Sequence, residues 1–449
     1  MKAAFVVHQY PPRYSTGTEI YAHRLATVLR AQGHELEVFT HEPDPRRQTS
    51  YRLVQDTVDE VPVTRLTFFD GLAPNHALHD YYNVFLGKVF GRWLDERRPD
   101  VVHVFHLMGL GLSLVEECRA RGIPVFVQLM DYWFLCPTVQ LLRHDGALCP
   151  GPDTNSCVEC LAGDNFGYQG LRMFGKREGF VETAMPEPKL VDLNHSGIGL
   201  RRAALHTRPN FIRRVLETSA TKLIAPSRFI KSLHLDHGYK DEHMSHLPYG
   251  VDPPVGAVKP IPVAGEGTVT FGFFGSVNPQ KGLEILVSAF RECLGSRLRL
   301  VVRGNMTHFP KYAKRVRSFA DVDPRIIFKG PYGHGELAEA LSTIDVLVVP
   351  SVWYENTPFV VLEAFSAGRP VVASDLGGLS EIVKDGVNGR TFRAGDPGAL
   401  AGVLEDFQED PDMLLRLASG IERVRTLEEN AADFVKLWED ALSGARITA

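Results

Sequence analysis

Short apolar runs alternate with stretches of helical spacing along this chain, and the alternation occurs twice. Lys2–Val7, Leu36–Thr40, Val63–Phe69, Val101–Phe105 and Val125–Leu129 read as buried strands. After the first, Glu19–Gln32 puts Ile20, Leu25, Val28 and Leu29 on one side of a helix, and Gly33 ends it. Helical segments follow around Tyr82–Arg97 and Leu110–Arg121. The second series has strands at Val269–Phe274, Leu298–Arg303, Arg325–Lys329, Val346–Pro350 and Pro370–Ala373. Its helices are expected at Gly282–Leu294, Gly335–Ser342 and Pro358–Ala367. Strands that alternate with helices pair in parallel and carry the helices on both faces. Two doubly wound α/β domains are therefore predicted.

Between the two series the pattern breaks. Cys136 to about Asn210 is rich in Gly and Pro and reads as an irregular insertion. Lys222–Pro226 resumes strand character, with a helix over Ser227–His237. Leu247–Pro262 holds five prolines and two glycines, a linker composition. The last forty residues look helical.

With 449 residues, two or three domains are expected. Charged residues make up 23% and the net charge is −5, which argues against wholesale nucleic-acid binding. No apolar stretch approaches the roughly 20 residues of a membrane span. Met1–His8 reads as a first strand rather than a signal peptide. Six cysteines, four of them clustered, point to a reducing compartment and to metal binding. A cytoplasmic location is expected.

Residues 351–375 carry the chemistry. Glu355 and Glu363 stand with seven residues between them. Thr357 is an expected N-cap and Pro358 an expected first helical residue, so Glu355 precedes the helix and Glu363 lies about two turns on. A helix start offers free N–H groups and partial positive charge to a phosphate. Carboxylates on either side would grip sugar hydroxyls. Glu355 is expected to face a donor sugar and Glu363 a ribose. A second element runs from Phe271 through Gly275 and Ser276 to Lys281 and Gly282: a strand, a glycine turn and a lysine at a helix start. Its glycine lets backbone approach a phosphate and its lysine supplies charge. A third, Tyr14 to Glu19 with Gly17 and Thr18, places a glycine at the first helix entrance.

With these elements the chain resembles a retaining glycosyltransferase of the GT-B fold, in sequence family four, which includes bacterial polysaccharide and glycolipid transferases. The E-x7-E stretch carries the resemblance most strongly. Gly17-Thr18-Glu19, Gly275…Lys281-Gly282 and Gly377-Gly378…Glu381 match the family's other elements. The resemblance implies two Rossmann-like doubly wound domains facing across a cleft, with the C-terminal helix crossing back to the first. It puts an N-terminal acceptor domain at residues 1–252, a linker at 253–268, a nucleotide-sugar domain at 269–425 and the returning helix at 426–449. It implies transfer from a nucleoside-diphosphate sugar, with retained anomeric configuration, to a hydroxyl of a glycan or lipid-linked glycan. Lys281, Glu355, His106 and Asp131 are the implied catalytic set. Gly17, Thr18, Gly275, Ser276, Lys281, Arg303, Asn356, Thr357, Pro358, Phe359 and Glu363 are the implied donor contacts. No cofactor is implied for the chemistry.

Two positions depart from the family pattern. Ser276 stands where many members carry an arginine, and Arg303 is a substitute cation. Met130 stands where many carry a histidine before Asp131, and His103 or His106 would have to serve instead. Two alternatives therefore remain: a non-catalytic sugar-nucleotide-binding subunit, and a nucleotide-sugar epimerase on the same fold.

Cys136, Cys149, Cys157 and Cys160 fit a four-thiolate structural site for zinc or an iron–sulfur cluster, anchored by the C-x2-C pair. Reduced cysteines packed as small hydrophobes are the plainer reading. Cys118 and Cys293 fall in helical patterns and read as buried. Residues 171–214 interleave Arg172, Lys176, Arg177, Arg201, Arg202, Arg208, Arg213 and Arg214 with Leu171, Phe174, Phe180, Phe211 and Ile212. Such a segment suits peripheral contact with the inner face of a membrane, or simply a solvated basic face.

Overall fold

The computed structural model describes residues 1–43, 51–68, 81–162, 195–261, 267–293 and 297–447. The chain divides into two compact units. One comprises Met1–Pro226, Ile230–Pro248 and Leu427–Ala449; the other comprises Ser227–Phe229 and Tyr249–Thr426.

The first unit holds an eight-stranded sheet in the order β3-β4-β2-β1-β5-β6-β7-β8. Its strands are β1 Lys2–Val7, β2 Glu35–Pro43, β3 Arg52–Val58, β4 Val61–Phe68, β5 Val101–Val104, β6 Val125–Gln128, β7 Lys222–Ala225 and β8 Met244–His246. Neighbours are parallel except β3 and β4, which pair antiparallel. Sequence reading misses β3 because every residue from Arg52 to Thr57 is exposed, so no alternation marks it. It survives as an edge strand on the hydrogen bonds of β4.

The helix Gly17–Ala31 lies one register from its expected face: Tyr21, Ala22, Leu25, Ala26 and Leu29 are buried, while Ile20 and Val28 are half-buried. The last helix, Leu427–Ile447, buries Leu427, Ala431, Phe434 and Trp438, a helical stripe. Phe434 and Trp438 pack edge-on against His103 of β5. The end of the chain thus completes the core of the unit that its beginning founds.

The expected irregular stretch is only partly irregular. Thr154–Ala162 and His195–Ser219 are helices. The second carries Pro209 inside it and hides its spacing behind a run of arginines. Residues 163–194, with Leu171, Arg172, Phe174, Lys176, Arg177 and Phe180, lie outside the described residues.

The second unit holds six strands, β9 Val269–Phe274, β10 Leu298–Arg303, β11 Ile326–Phe328, β12 Val346–Val349, β13 Val371–Ser374 and β14 Gly389–Phe392. Their order is β11-β10-β9-β12-β13-β14, all parallel. The helix Leu283–Glu292 buries Leu283, Leu286, Val287, Ala289 and Phe290 against one face. Each large side chain so buried stabilises by roughly 1.5–3 kcal/mol. Among the described residues no helix is long and apolar enough to cross a membrane.

Candidate functional site

In the second sheet the strand order reverses direction between β9 and β12. The segments leaving the carboxyl ends of these two strands part there, one over each face, and open a crevice where ligands of such sheets bind. The chain leaves β9 through Gly275–Lys281 and leaves β12 through Pro350–Pro358. The two segments meet at Glu355, which is 5% exposed. Its Oε1 accepts hydrogen bonds from Lys281 Nζ at 2.7 Å, Ser351 Oγ at 2.6 Å and Trp353 Nε1 at 2.9 Å. Lys281 Nζ also stands 5.6 Å from the centre of the Trp353 ring. A buried carboxylate is tolerable only when paired and hydrogen-bonded, and this one is both.

The backbone around it leaves no slack. Asn278 Oδ1 accepts the Lys281 N–H at 3.0 Å and sets the turn that presents the lysine. Gly282 follows in left-handed conformation, and a Cβ there would stand 1.9 Å from the Pro350 carbonyl oxygen. Gly378 donates its N–H to the Glu355 carbonyl at 2.8 Å, and a Cβ on it would fall 1.5 Å from the Asn356 carbonyl oxygen. Glycine at these positions is required by contact. Asn356 Oδ1 accepts the Ser227 hydroxyl at 2.9 Å, and the Glu381 carboxylate accepts the Arg228 and Phe229 N–H groups.

The helix begins one residue later than its composition implies. It runs Phe359–Ser366, with Pro358 as the capping residue and no side-chain cap bond. The Pro358 ψ of 123° is extended, which leaves Thr357 outside the cap position. Glu363, half-buried, sits about one turn in rather than two. Arg303 ends β10 beside this edge, and its carbonyl accepts the Gly275 N–H at 3.0 Å. Its Nε is buried without a hydrogen-bond partner among the described residues. Ser276 is exposed.

The first sheet has an equivalent reversal between β1 and β5. The side chains there are different. The His8 and His106 rings lie 4.2 Å apart. His8 Nε2 is 3.5 Å from Glu19 Oε1, and His106 Nε2 is 2.8 Å from Asp131 Oδ2. The Met108 N–H donates to His106 Nδ1 at 3.1 Å, so the ring proton belongs on Nε2, toward Asp131. That contact is short but off the N–H direction. Asp131 Oδ1 takes the Trp133 N–H at 2.9 Å. Burial, then His106 and His41, hold His8 well below the usual imidazole range, and burial raises Glu19. Gly17 and Thr18 open the helix that supplies Glu19.

Family models match both halves. One, described as glycosyl transferases group 1, covers residues 268–410; another, a glycosyl transferase 4-like domain, covers residues 16–151. Together they take in well over half the chain. The chain belongs to the family-four glycosyltransferases of the GT-B fold. It is 32% identical to the D-inositol 3-phosphate glycosyltransferase of Streptomyces coelicolor over 161 residues, 34% of this chain and 35% of that protein. It is 28% identical over 207 residues to the lipopolysaccharide 1,2-N-acetylglucosaminetransferase of Salmonella typhimurium, 43% of this chain and 53% of that protein. The match therefore spans about a third and about half of these relatives' lengths. In fold it is similar to Anabaena HepE, solved in complex with UDP, at a TM-score of 0.66 and 16% identity over 98% of this chain and 100% of that one.

For this family-four chain the second sheet's edge gathers Gly275, Ser276, Lys281, Arg303, Glu355, Asn356, Thr357, Pro358, Phe359 and Glu363, while Gly17, Thr18, His106 and Asp131 belong to the first unit. Of the two histidines read as candidates, His103 is a core residue. It is fully buried among Phe5, Phe105, Phe126, Phe434 and Trp438, and burial lowers its pKa to about 3. Met130 is nearly buried beside Asp131. Sequence reading assigns no role to Ser351 and Trp353, although both lie within the quoted stretch. Their spacing from Glu355 has no helical or strand period, and only the turn brings them onto its oxygen.

The four-thiolate site is not seen gathered as a metal shell among the described residues. Among the described residues no group of three or more His, Cys, Asp or Glu is gathered to hold a metal ion. Cys136 Sγ lies 3.2 Å from Thr138 Oγ1, and Cys149 Sγ donates to the Gly151 carbonyl at 3.1 Å, so both engage their own loops. They are still near one another: burial pushes Cys157 up to about 12, and Cys136, Cys149 and Cys160 push the same way. The plainer reading, reduced cysteines in a small core, fits these contacts. The basic segment is likewise not a uniform solvent face. Arg208 is buried, with its guanidinium over the Tyr81 and Trp133 rings and Nη2 donating to the Trp133 carbonyl, and Ile212 is buried too.

Proposed function

We propose that the protein transfers a sugar from a nucleoside-diphosphate sugar to a hydroxyl of a glycan or lipid-linked glycan, with retention at the anomeric carbon. The observation that carries this reading is the Glu355–Lys281 pair at the second sheet's reversal point, a buried carboxylate with a cation at its side. A diphosphate there meets Lys281 and Arg303, and the glycine turn lets backbone come close. Glu355 takes hydroxyls of the donor sugar and Glu363 those of the ribose. As the bond from the anomeric carbon to the phosphate oxygen breaks, charge grows on the leaving phosphate. Fixed cations and the start of the Phe359–Ser366 helix stabilise it. The acceptor hydroxyl forms the new bond from the same face and gives its proton to the departing phosphate. His106 and Asp131 are proposed as catalytic residues, and Gly17 and Thr18 as donor contacts.

The relatives support this reading: they include a lipopolysaccharide 1,2-N-acetylglucosaminetransferase and a fold neighbour solved in complex with UDP. A lipid-linked acceptor accords with work at the inner membrane face. A thermal-shift screen of nucleotide sugars tests the donor, because a true ligand raises apparent stability by mass action. Product analysis with and without acceptors then separates transfer from epimerisation and from binding alone. Metal content of the purified protein decides whether the thiols hold zinc.

A further inference from the structure

We infer that Ser351 and Trp353 are positioning residues that hold Glu355 in place while Lys281 changes partner from that carboxylate to the donor's diphosphate. This inference deepens the donor reading and rests on it. Among the described residues, all three hydrogen bonds to the Glu355 side chain fall on one oxygen, Oε1. A carboxylate oxygen has about two in-plane lone pairs, so three donors crowd it. Among the described residues Oε2 takes no hydrogen bond, and it is not among the fully enclosed atoms. One oxygen is therefore anchored, and the other is presented.

The three donors are not equivalent. Ser351 is fully buried and follows directly from the end of β12 through Pro350, so its hydroxyl has nowhere to go. The Trp353 indole is rigid and stands two residues from its acceptor. Lys281 belongs to the other segment, hangs on a flexible stem and is 28% exposed. A doubly charged diphosphate competes for that ammonium far better than one carboxylate does. When Lys281 leaves, Ser351 and Trp353 still fill both lone pairs of Oε1. Glu355 keeps its orientation and its Oε2 is free for a sugar hydroxyl. Without them, loss of the lysine would leave a buried carboxylate unsupported and free to turn.

The test uses the full chain with UDP and UDP-glucose, and with ADP and ADP-glucose and GDP and GDP-mannose as matched pairs. Calorimetry measures each nucleotide with and without its sugar, and product release measures cleavage of the best pair. Ser351→Ala removes one hydroxyl; Trp353→Phe removes one N–H and keeps the ring against Lys281. Each variant is expected to bind the free nucleotide within about threefold of the parent. The sugar's contribution to affinity and cleavage is expected to fall about tenfold or more, as for a hydrogen bond to a charged group. Ser351→Thr, which keeps the hydroxyl, is expected to restore most of it. If the parent protein binds none of the pairs, the donor reading fails before the clamp is reached. If the parent binds a pair and both variants keep the sugar's contribution, the clamp is overturned. Equal loss of nucleotide and sugar binding, together with a lower melting temperature, overturns it as well, because that is the mark of a merely structural role.

Discussion

The two units share a topology and differ in what lines it. Each sheet reverses beside its first strand, β1 next to β5 and β9 next to β12. At the first reversal stand His8, His106, Glu19 and Asp131; at the second stand Lys281, Arg303 and Glu355. One edge sets imidazoles beside carboxylates, with the pKa of His8 lowered by burial; the other sets a lysine and an arginine around one buried glutamate. The first unit also buries His103 and His234, whose pKa values burial lowers, so the two units should part company on acidification.

That separation is the largest effect expected. In the first unit His103 is lowered to about 3 and His234 to about 4, both by burial. Their folded values lie below the unfolded value of about 6.5. Above that value both states are neutral and nothing is gained or lost. Below it the unfolded chain binds protons that the folded chain refuses, so stability falls with pH. At pH 5 each histidine costs about 2 kcal/mol, and the pair about 4 kcal/mol, a large part of a domain's usual margin. His8 adds in the same direction, while Glu19, whose pKa is raised, offsets part of it. In the second unit Asp323 is held low by Arg325, and that stabilisation goes only as pH falls through its lowered value. Hydrogen exchange on the full chain, followed from pH 7.5 to 4.5, should show β1, β5 and β7 losing protection before β9, β10 and β12. Loss in the opposite order would break the comparison.

Next in size is Lys281→Ala. Removal of a cation from a developing phosphate charge costs about 3 kcal/mol, or roughly 100-fold in turnover. Glu363→Ala should weaken donor binding by about tenfold, the worth of one charged hydrogen bond. Product release from the best nucleotide sugar checks both. Rates unchanged in both variants would remove the second edge from the reaction.

Much of this contrast is legible in the sequence, and the exceptions have physical causes. The five strands expected in the second half all appear, because each reads as a short run of mostly apolar residues, and β12 and β13 are buried on both faces. β3 does not announce itself, since an edge strand needs only backbone bonds. The helix Pro310–Ala320 is also hidden: Lys311, Lys314, Arg315 and Arg317 mask the stripe of Tyr312, Ala313, Val316 and Ala320. Of the second edge, Lys281, Glu355 and Glu363 are readable from motif spacing, whereas Ser351 and Trp353 depend on a turn that no periodicity describes. His103 and His106 are three positions apart and look alike in sequence. Only the strand register decides that one enters an aromatic core and the other leaves the sheet.

His103→Leu sharpens the first prediction on a smaller scale. At pH 7.5 stability should change by less than about 1.5 kcal/mol, as for a swap of similar volume in a core. At pH 5 the variant should recover about 2 kcal/mol relative to its parent, since leucine binds no proton in either state. Urea melts at the two pH values measure this. A parallel loss at both would mean that the ring's packing matters and its neutrality does not.

The smallest effects come from two asparagines that do the same local work in different surroundings. Asn83 caps the helix Val84–Arg97 by accepting the Phe85 and Leu86 N–H groups at 3.1 and 3.2 Å. Asn278 accepts the Lys281 N–H at 3.0 Å. Either change to alanine should cost about 1 kcal/mol of stability, the usual worth of a cap. Their functional consequences should differ. Asn83→Ala touches no residue of either edge, so nucleotide-sugar affinity should hold. Asn278→Ala loosens the turn that aims Lys281, and affinity should fall by about fivefold, which corresponds to about 1 kcal/mol. If both variants lose stability equally and neither loses affinity, the lysine is aimed by Glu355 alone. The glycine-turn segment would then be a structural loop that happens to end beside the site.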